Sequence, residues 1–207
     1  MISAAWPLVL TVAVLAGLLF FFHHPLAAMV PLSASAAIAL FFRDPERTVP
    51  SGDDLVVAPA DGKVVEVRPA SESVESRVAI FLSLLNVHVN RSPVAGTVRS
   101  VVYRAGSFRP AWEANASSIN ERNSLELESP GGRFGVAQIA GLVARRIHCF
   151  KKAGDTVLRG ERIGYIAFGS RTELTLPPRA DIVVRVGDHV RGGESVIARL
   201  PAVREPS

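Results

Sequence analysis

The first charged side chain in this 207-residue sequence is Arg43, so residues 1–42 hold none of its 23 Lys+Arg and 19 Asp+Glu. A water-facing globule does not leave about a fifth of its length without charge, so the chain divides into an apolar segment, 1–42, and a charged domain, 43–207. Within the first segment, the apolar runs Ala4 to Phe22 and Leu26 to Phe42 are separated by His23, His24 and Pro25. A bilayer core of about 30 Å asks for about 20 helical residues. The first run, at 19 residues, meets that length; the second, at 17 with Pro31, Ser33 and Ser35 among them, is marginal. The segment is therefore expected to form apolar helices that either cross the membrane as a hairpin or lie in one leaflet as a wedge. Met1 to Ala5 lacks Lys and Arg, which argues against a cleaved secretory signal. Arg43 and Arg47 follow the second run directly, and cations there stay on the cytoplasmic side, placing the polar domain inside the cell at the cell membrane.

The single Cys149 excludes an internal disulfide framework and a zinc site of several thiolates, and it fits a reducing compartment. Lysine stands only at 63, 151 and 152, so the remaining twenty basic residues are Arg. Guanidinium groups match phosphate oxygens. Lipid headgroups and nucleic acids both present those oxygens, but the chain has no basic helix with interleaved aromatics, and the apolar N-terminus favours lipid over nucleic acid. None of the three lysines has a context that supports a Schiff base with pyridoxal phosphate. A metal is not expected either, because His88, His148 and His189 are scattered and only His23-His24 form a close pair.

From residue 50 onward, short β-branched stretches alternate with turn formers. Val56-Val57, Lys63 to Val67, Val78 to Val89, Gly96 to Tyr103, Ser124 to Leu127 and Phe134 to Ile139 read as strands, punctuated by Pro59-Ala60-Asp61-Gly62 and Ser129-Pro130-Gly131-Gly132. Only Ala111 to Asn123 and Leu142 to Arg146 lack such punctuation. The pattern predicts a mainly β domain, antiparallel hairpins folded into a sandwich or a distorted barrel, preceded by the N-terminal helices. An internal repeat supports it: Gly154 to Ile163 and Gly187 to Val196 share Gly-Asp-x-Val-x-x-Gly-Glu-x-Ile/Val. Each copy has glycine where a turn needs positive φ. Such repeated hairpins are lipoyl-like, so a membrane-anchored carrier or adaptor, modified at Lys63 after Asp61-Gly62, is one alternative reading.

Three places carry candidate chemistry. His88 sits in Phe81 to Pro93, where strand alternation would group it with Leu82, Leu84, Asn86 and Asn90. Asp61 lies in a turn and would serve chemistry only as a carboxylate that orients a histidine. The third is Phe168-Gly169-Ser170-Arg171. A seryl hydroxyl beside an unhindered glycyl carbonyl can attack its own peptide bond once a base takes the proton. The resulting ester eliminates to dehydroalanine, and hydrolysis then leaves a pyruvoyl group on the new N-terminus. A membrane-anchored hydrolase using Ser170 with Lys151 or His88 is the other alternative.

Together, Pro-Ala-Asp61-Gly, Asn-Val-His88-Val-Asn-Arg-Ser-Pro, Asn120-Glu121-Arg122-Asn123, Gln138-Ile139-Ala140-Gly141, Ala144-Arg145-Arg146 and Phe168-Gly169-Ser170-Arg171 resemble, in order, the short, membrane-associated form of phosphatidylserine decarboxylase. The likeness runs from about Phe41 to Leu176. It implies a pyruvoyl-dependent proenzyme that cleaves itself between Gly169 and Ser170 into a β chain, 1–169, and an α chain, 170–207. These two products form a heterodimer, with pairing of two such copies left open. The covalent pyruvoyl group from Ser170 would form a Schiff base with phosphatidylserine and release phosphatidylethanolamine in phospholipid biosynthesis. His88 would be the base and proton donor, and Asp61 would hold its imidazole in the useful tautomer. Long-form members carry a second histidine at the position of Arg91.

Overall fold

A computed structural model of the chain describes residues 5–70, 75–110, 116–142, 146–167 and 170–201. It divides into two units, 1–46 and 47–207. The first contains α1 (Trp6–Phe21) and α2 (Pro25–Phe41). Each begins with proline in its first turn, where the missing N–H costs nothing. The helices pack on each other through Val9, Ala16, Ala28 and Ser35, whose Oγ donates to the Val9 carbonyl at 3.0 Å. The expectation of a spanning run is corrected here. The 16 residues of α1 reach only about 24 Å at 1.5 Å per residue, and no helix of the described residues is long and apolar enough to cross a membrane.

The second unit begins with β1 (Leu55–Val57), β2 (Gly62–Arg68), β3 (Ser76–Leu82), β4 (Val89–Arg91) and β5 (Gly96–Arg104). A single turn of helix, α3 (Ala116–Ile119), precedes β6 (Arg122–Ser129), β7 (Gly132–Ile139), β8 (Ile147–Cys149) and β9 (Thr156–Val157). The chain then forms β10 (Arg162–Ile166), β11 (Ser170–Leu176), β12 (Asp181–Ile182), β13 (His189–Val190) and β14 (Val196–Arg199). These strands form an eight-stranded sheet, ordered β13-β2-β3-β11-β7-β6-β5-β9, and two three-stranded sheets, β1-β14-β12 and β4-β10-β8. Neighbouring strands are antiparallel throughout, and register shifts in β2 at Val64/Glu66 and in β5 at Val98/Ser100 bend the large sheet into a curled half-barrel. The mainly antiparallel β reading of the sequence is thus met.

The concave face closes over one apolar core. Ile80, Leu82, Leu125, Leu127, Phe134, Leu174 and Leu176 from the large sheet meet Ile163 of β10 and Ile197 of β14, all essentially without solvent contact. Truncating one such Leu or Ile to Ala costs about 2–5 kcal/mol, so the core fixes the strand ends that carry the site. The two sequence repeats adopt equivalent turns: Gly160 and Gly193, which correspond in the alignment, have φ +78° and +81°. A Cβ on Gly193 would stand 2.9 Å from Arg91 Cδ, and Arg91 Nη1 donates to the Gly160 carbonyl at 3.0 Å. The repeats therefore clasp Arg91, which is buried as a structural cation.

Two strand readings change. Val78 to Val89 is not one strand, because β3 ends at Leu82 and Asn86 Oδ1 accepts from both Ser83 N (2.9 Å) and Ser83 Oγ (2.7 Å), closing a turn. That turn puts Leu84 and Leu85 in the open. Conversely β11, which the sequence reading passed over, is internal to the sheet although its first four residues are polar.

Candidate active site

Ser170 opens β11 between two strand ends: it pairs with Leu82, the last residue of β3, and Arg171 pairs with Ile139, the last of β7. It is 0% exposed, and its Oγ has no hydrogen-bond partner among the described residues. Phe168 and Gly169, and with them the expected scissile bond, lie outside the described residues.

His88 follows the Ser83–Asn86 turn and immediately precedes β4, wholly buried. Its carbonyl accepts from Ile166 N at 3.2 Å, at the end of β10. The segment bearing His88 is thereby held between Leu82, the partner of Ser170, and Ile166, four residues before Ser170. His88 Nδ1 stands 2.9 Å from the Asn86 carbonyl. A carbonyl only accepts, so Nδ1 carries hydrogen and Nε2 keeps its lone pair in the neutral ring. Beyond His88, Asn90 Nδ2 donates to Thr172 Oγ1 at 3.1 Å, tying the histidine segment to the strand that Ser170 begins. Gln138 Nε2 donates to Asn90 Oδ1 at 2.9 Å, and Asn123 Nδ2 donates to Gln138 Oε1 at 3.0 Å. All four side chains are buried, and a buried amide chain of this kind holds its members in one geometry. Asn90 was visible in sequence only as a neighbour of His88; nothing local pointed to Thr172, 82 positions away.

Asp61 lies between Pro59, whose carbonyl accepts from Arg91 N at 2.8 Å, and Lys63, which pairs with Phe81. It therefore sits between the strand that follows His88 and the strand that ends beside Ser170. Its carboxylate accepts from Arg47 Nη2 at 3.0 and 2.8 Å and from Gly192 N at 2.8 Å. Arg47 also reaches Glu194 Oε2 at 3.3 Å. Arg47, read from the sequence as a charge beside the lipid, is instead buried against Asp61.

On the other flank, Arg171 Nε donates to Glu173 Oε1 at 2.9 Å and Arg171 Nη2 reaches Glu66, while Arg122 Nη1 donates to Glu173 Oε2 at 3.2 Å. Arg77 joins both carboxylates. Burial pushes the Glu66 carboxyl up, but hydrogen bonds and charge from Arg77 and Arg171 outweigh it and hold the group below the ordinary carboxylate value. A carboxyl with a depressed folded value stabilises the fold above its unfolded value, and that stabilisation is lost as pH falls through the folded one. Glu66→Gln is therefore expected to lower the urea midpoint at neutral pH, with the gap to wild type closing as pH drops below about 4. A gap independent of pH would contradict this.

The rival readings find little geometry. Lys63 lies within β2, paired with Phe81 on one side and His189 on the other, rather than at a hairpin tip. Lys151 Nζ is occupied by Glu161. A buried hydroxyl left unpaired costs about 1–3 kcal/mol, which suits a group that reacts better than one that packs. Position 170, enclosed at the head of an internal strand, accordingly fits a pyruvoyl N-terminus.

The site is thus an enclosed serine at the head of an internal strand, with an oriented histidine on the adjoining segment of the same β domain. The chain belongs to the phosphatidylserine decarboxylase family, whose description matches residues 34–198. It is 46% identical over 202 residues to the phosphatidylserine decarboxylase proenzyme of Symbiobacterium thermophilum, covering 95% of this chain and 94% of that one. It is 50% identical over 165 residues to the protein of the same description from Nitratidesulfovibrio vulgaris, covering 77% and 76%.

Proposed function

We propose that this chain is a proenzyme that cuts itself between Gly169 and Ser170 and then, as two associated chains, converts phosphatidylserine to phosphatidylethanolamine at the cytoplasmic face of the cell membrane. The observation that carries this reading is Ser170 itself, buried and unpaired among the described residues, one strand from the segment that holds His88.

In the first step His88 Nε2 takes the Ser170 proton, and Oγ adds to the carbonyl carbon of residue 169 in place of the amide nitrogen. The Asn86 carbonyl keeps the imidazole in the tautomer with a basic Nε2. The resemblance gives Asp61 the task of holding that tautomer, but the Asn86 carbonyl stands at Nδ1 and the Asp61 carboxylate accepts from Arg47 and the Gly192 amide. Its proposed part is instead to offset the charge that forms on His88. Elimination from the ester leaves a carboxylate on residue 169, and hydrolysis of residue 170 releases ammonia. The pyruvoyl group, once formed, supplies the carbonyl electron sink for loss of carbon dioxide from the serine headgroup. Ser170 is enclosed where β11 meets β3 and β7, so a group formed there is screened from water, which favours loss of a carboxylate beside it. His88 then returns a proton to the α-carbon.

Intact mass and a denaturing gel of purified protein test this directly. Two fragments are expected, 1–169 and 170–207, the smaller refusing Edman degradation. A single full-length chain that still liberates CO2 from phosphatidylserine would overturn the reading.

The helical unit supplies the membrane contact. Among its described residues Leu8, Leu10, Phe20, Phe21, Leu26 and Val30 are exposed, and the segment is uncharged, which supports a wedge in one leaflet. Deleting residues 1–42 is expected to leave self-cleavage intact and to lower turnover of bilayer lipid at least about tenfold. Equal loss of both on the gel and in the vesicle assay would refute it.

A further inference from the structure

The strand ends that meet at Ser170 form one continuous row. Leu82 pairs with Ser170, Arg171 with Ile139, Ile139 with Arg122, and Arg122 with Arg104. At about 4.8 Å between strands this row runs about 19 Å across one end of the large sheet. The residues just past it are unusual for a protein surface. Leu84 and Leu85, after β3, are 54% and 76% exposed; Leu142, after β7, is 54% exposed; Ile119, before β6, is 41% exposed. These four come from three separate segments, and no two of the three are sequence neighbours, so the apolar rim is a product of the fold.

The charge around the rim has one sign. Arg104, the last residue of β5, and Arg109 and Arg146 on the neighbouring loops are exposed at this end. The acids nearest this end are turned in: Glu121, just before β6, and Asp61, just before β2, are both buried. Exposed leucines ringed by guanidinium groups match an anionic bilayer, with apolar side chains entering the acyl boundary and arginines meeting phosphate.

We infer that this end of the β domain is a second lipid-docking surface, formed by Leu84, Leu85, Ile119 and Leu142, that seats the site on an anionic bilayer independently of the N-terminal helices. The inference rests on the proposed decarboxylase reading. It explains why exposed leucines surround a site that is itself enclosed: a diacyl lipid leaves the bilayer at about 0.8 kcal/mol per exposed methylene, so the headgroup has to be met where it lies.

The test uses the full-length protein carrying Leu84→Ser and Leu85→Ser, with Leu142→Ser as a separate variant. Each is assayed for self-cleavage on a gel, for CO2 release from dispersed short-chain phosphatidylserine, and for CO2 release from phosphatidylcholine vesicles containing phosphatidylserine and phosphatidylglycerol. Cleavage and short-chain turnover are expected to stay within about twofold of wild type, while vesicle turnover falls at least about tenfold. Unchanged vesicle turnover in both variants overturns the inference, as does an equal fall on both substrates. A fall in oligomeric state by light scattering with vesicle turnover intact also overturns it, assigning the rim to a second copy of this chain. Failure of the underlying function reads differently, because wild type itself would then remain uncut or inert toward the dispersed substrate.

Discussion

Replacing Ser170 by Ala is expected to give one uncut chain of 207 residues that releases no CO2 from phosphatidylserine. The methyl group occupies the same enclosed position at the head of β11 but has no oxygen to add to the preceding carbonyl, so neither the cut nor the electron sink arises. Misfolding is an unattractive explanation for such a loss. Ser170 Oγ makes no hydrogen bond to the described residues, and an enclosed hydroxyl without a partner opposes folding by about 1–3 kcal/mol. Its removal breaks no hydrogen bond among the described residues, and the uncut variant keeps the tether that the cut severs, so it should melt no lower than the processed protein. A variant that is inactive and also melts well below wild type would indicate that the serine holds structure instead, and a variant that is cut or active would remove Ser170 from the scheme.

His88→Ala carries the second large effect. General-base assistance contributes about 10²–10⁴-fold, so self-cleavage is expected to slow by at least about a hundredfold, or to yield a cut enzyme that cannot decarboxylate. His88→Gln sharpens the reading, because its amide can still donate toward the Asn86 carbonyl while offering no basic nitrogen. Both variants should fail alike if His88 acts through its lone pair. Recovery in the Gln variant would mean that His88 serves mainly to brace the turn after β3. The measurement is the fraction of uncut chain on a denaturing gel over time, followed by CO2 release from whatever product forms.

Much of the fold could be read from residue patterns, and the exceptions share a cause. The β-branched stretches from Leu55 to Ile139 became strands because alternating branched side chains fill a half-buried pleat. The Gly-Asp-x-Val repeat marked equivalent turns because each needs a residue at positive φ. Ser83 to Val89 looked like more of the same strand, yet Asn86 folds back on Ser83, and a single side-chain acceptor outweighed the local preference. β11 was hidden by its own composition. Ser170 to Glu173 show no apolar alternation, and Arg171, Thr172 and Glu173 are buried because Asn90, Arg77, Arg122 and Glu66 arrive from distant segments to satisfy them. Arg47 was misplaced for the same reason. Its proximity to the apolar run suggested lipid, but Asp61 captures it. The site is thus least legible where polar groups satisfy one another over long separations, since no local periodicity records such pairings.

The interior position of β11 has a consequence for the life of the molecule. A cut before Ser170 leaves the shorter piece threaded through its parent: β11 lies between β3 and β7, β14 pairs with β1, and β13 runs along β2. Neither piece can depart without dismantling the sheet. Once dismantled, however, the pieces no longer share a tether, and the loop-closure advantage that brought β11 to its slot the first time is gone. On the proposed cut, maturation would work as a ratchet: the molecule is assembled as one polymer and kept as two, and refolding would lack the tether that favoured the first assembly.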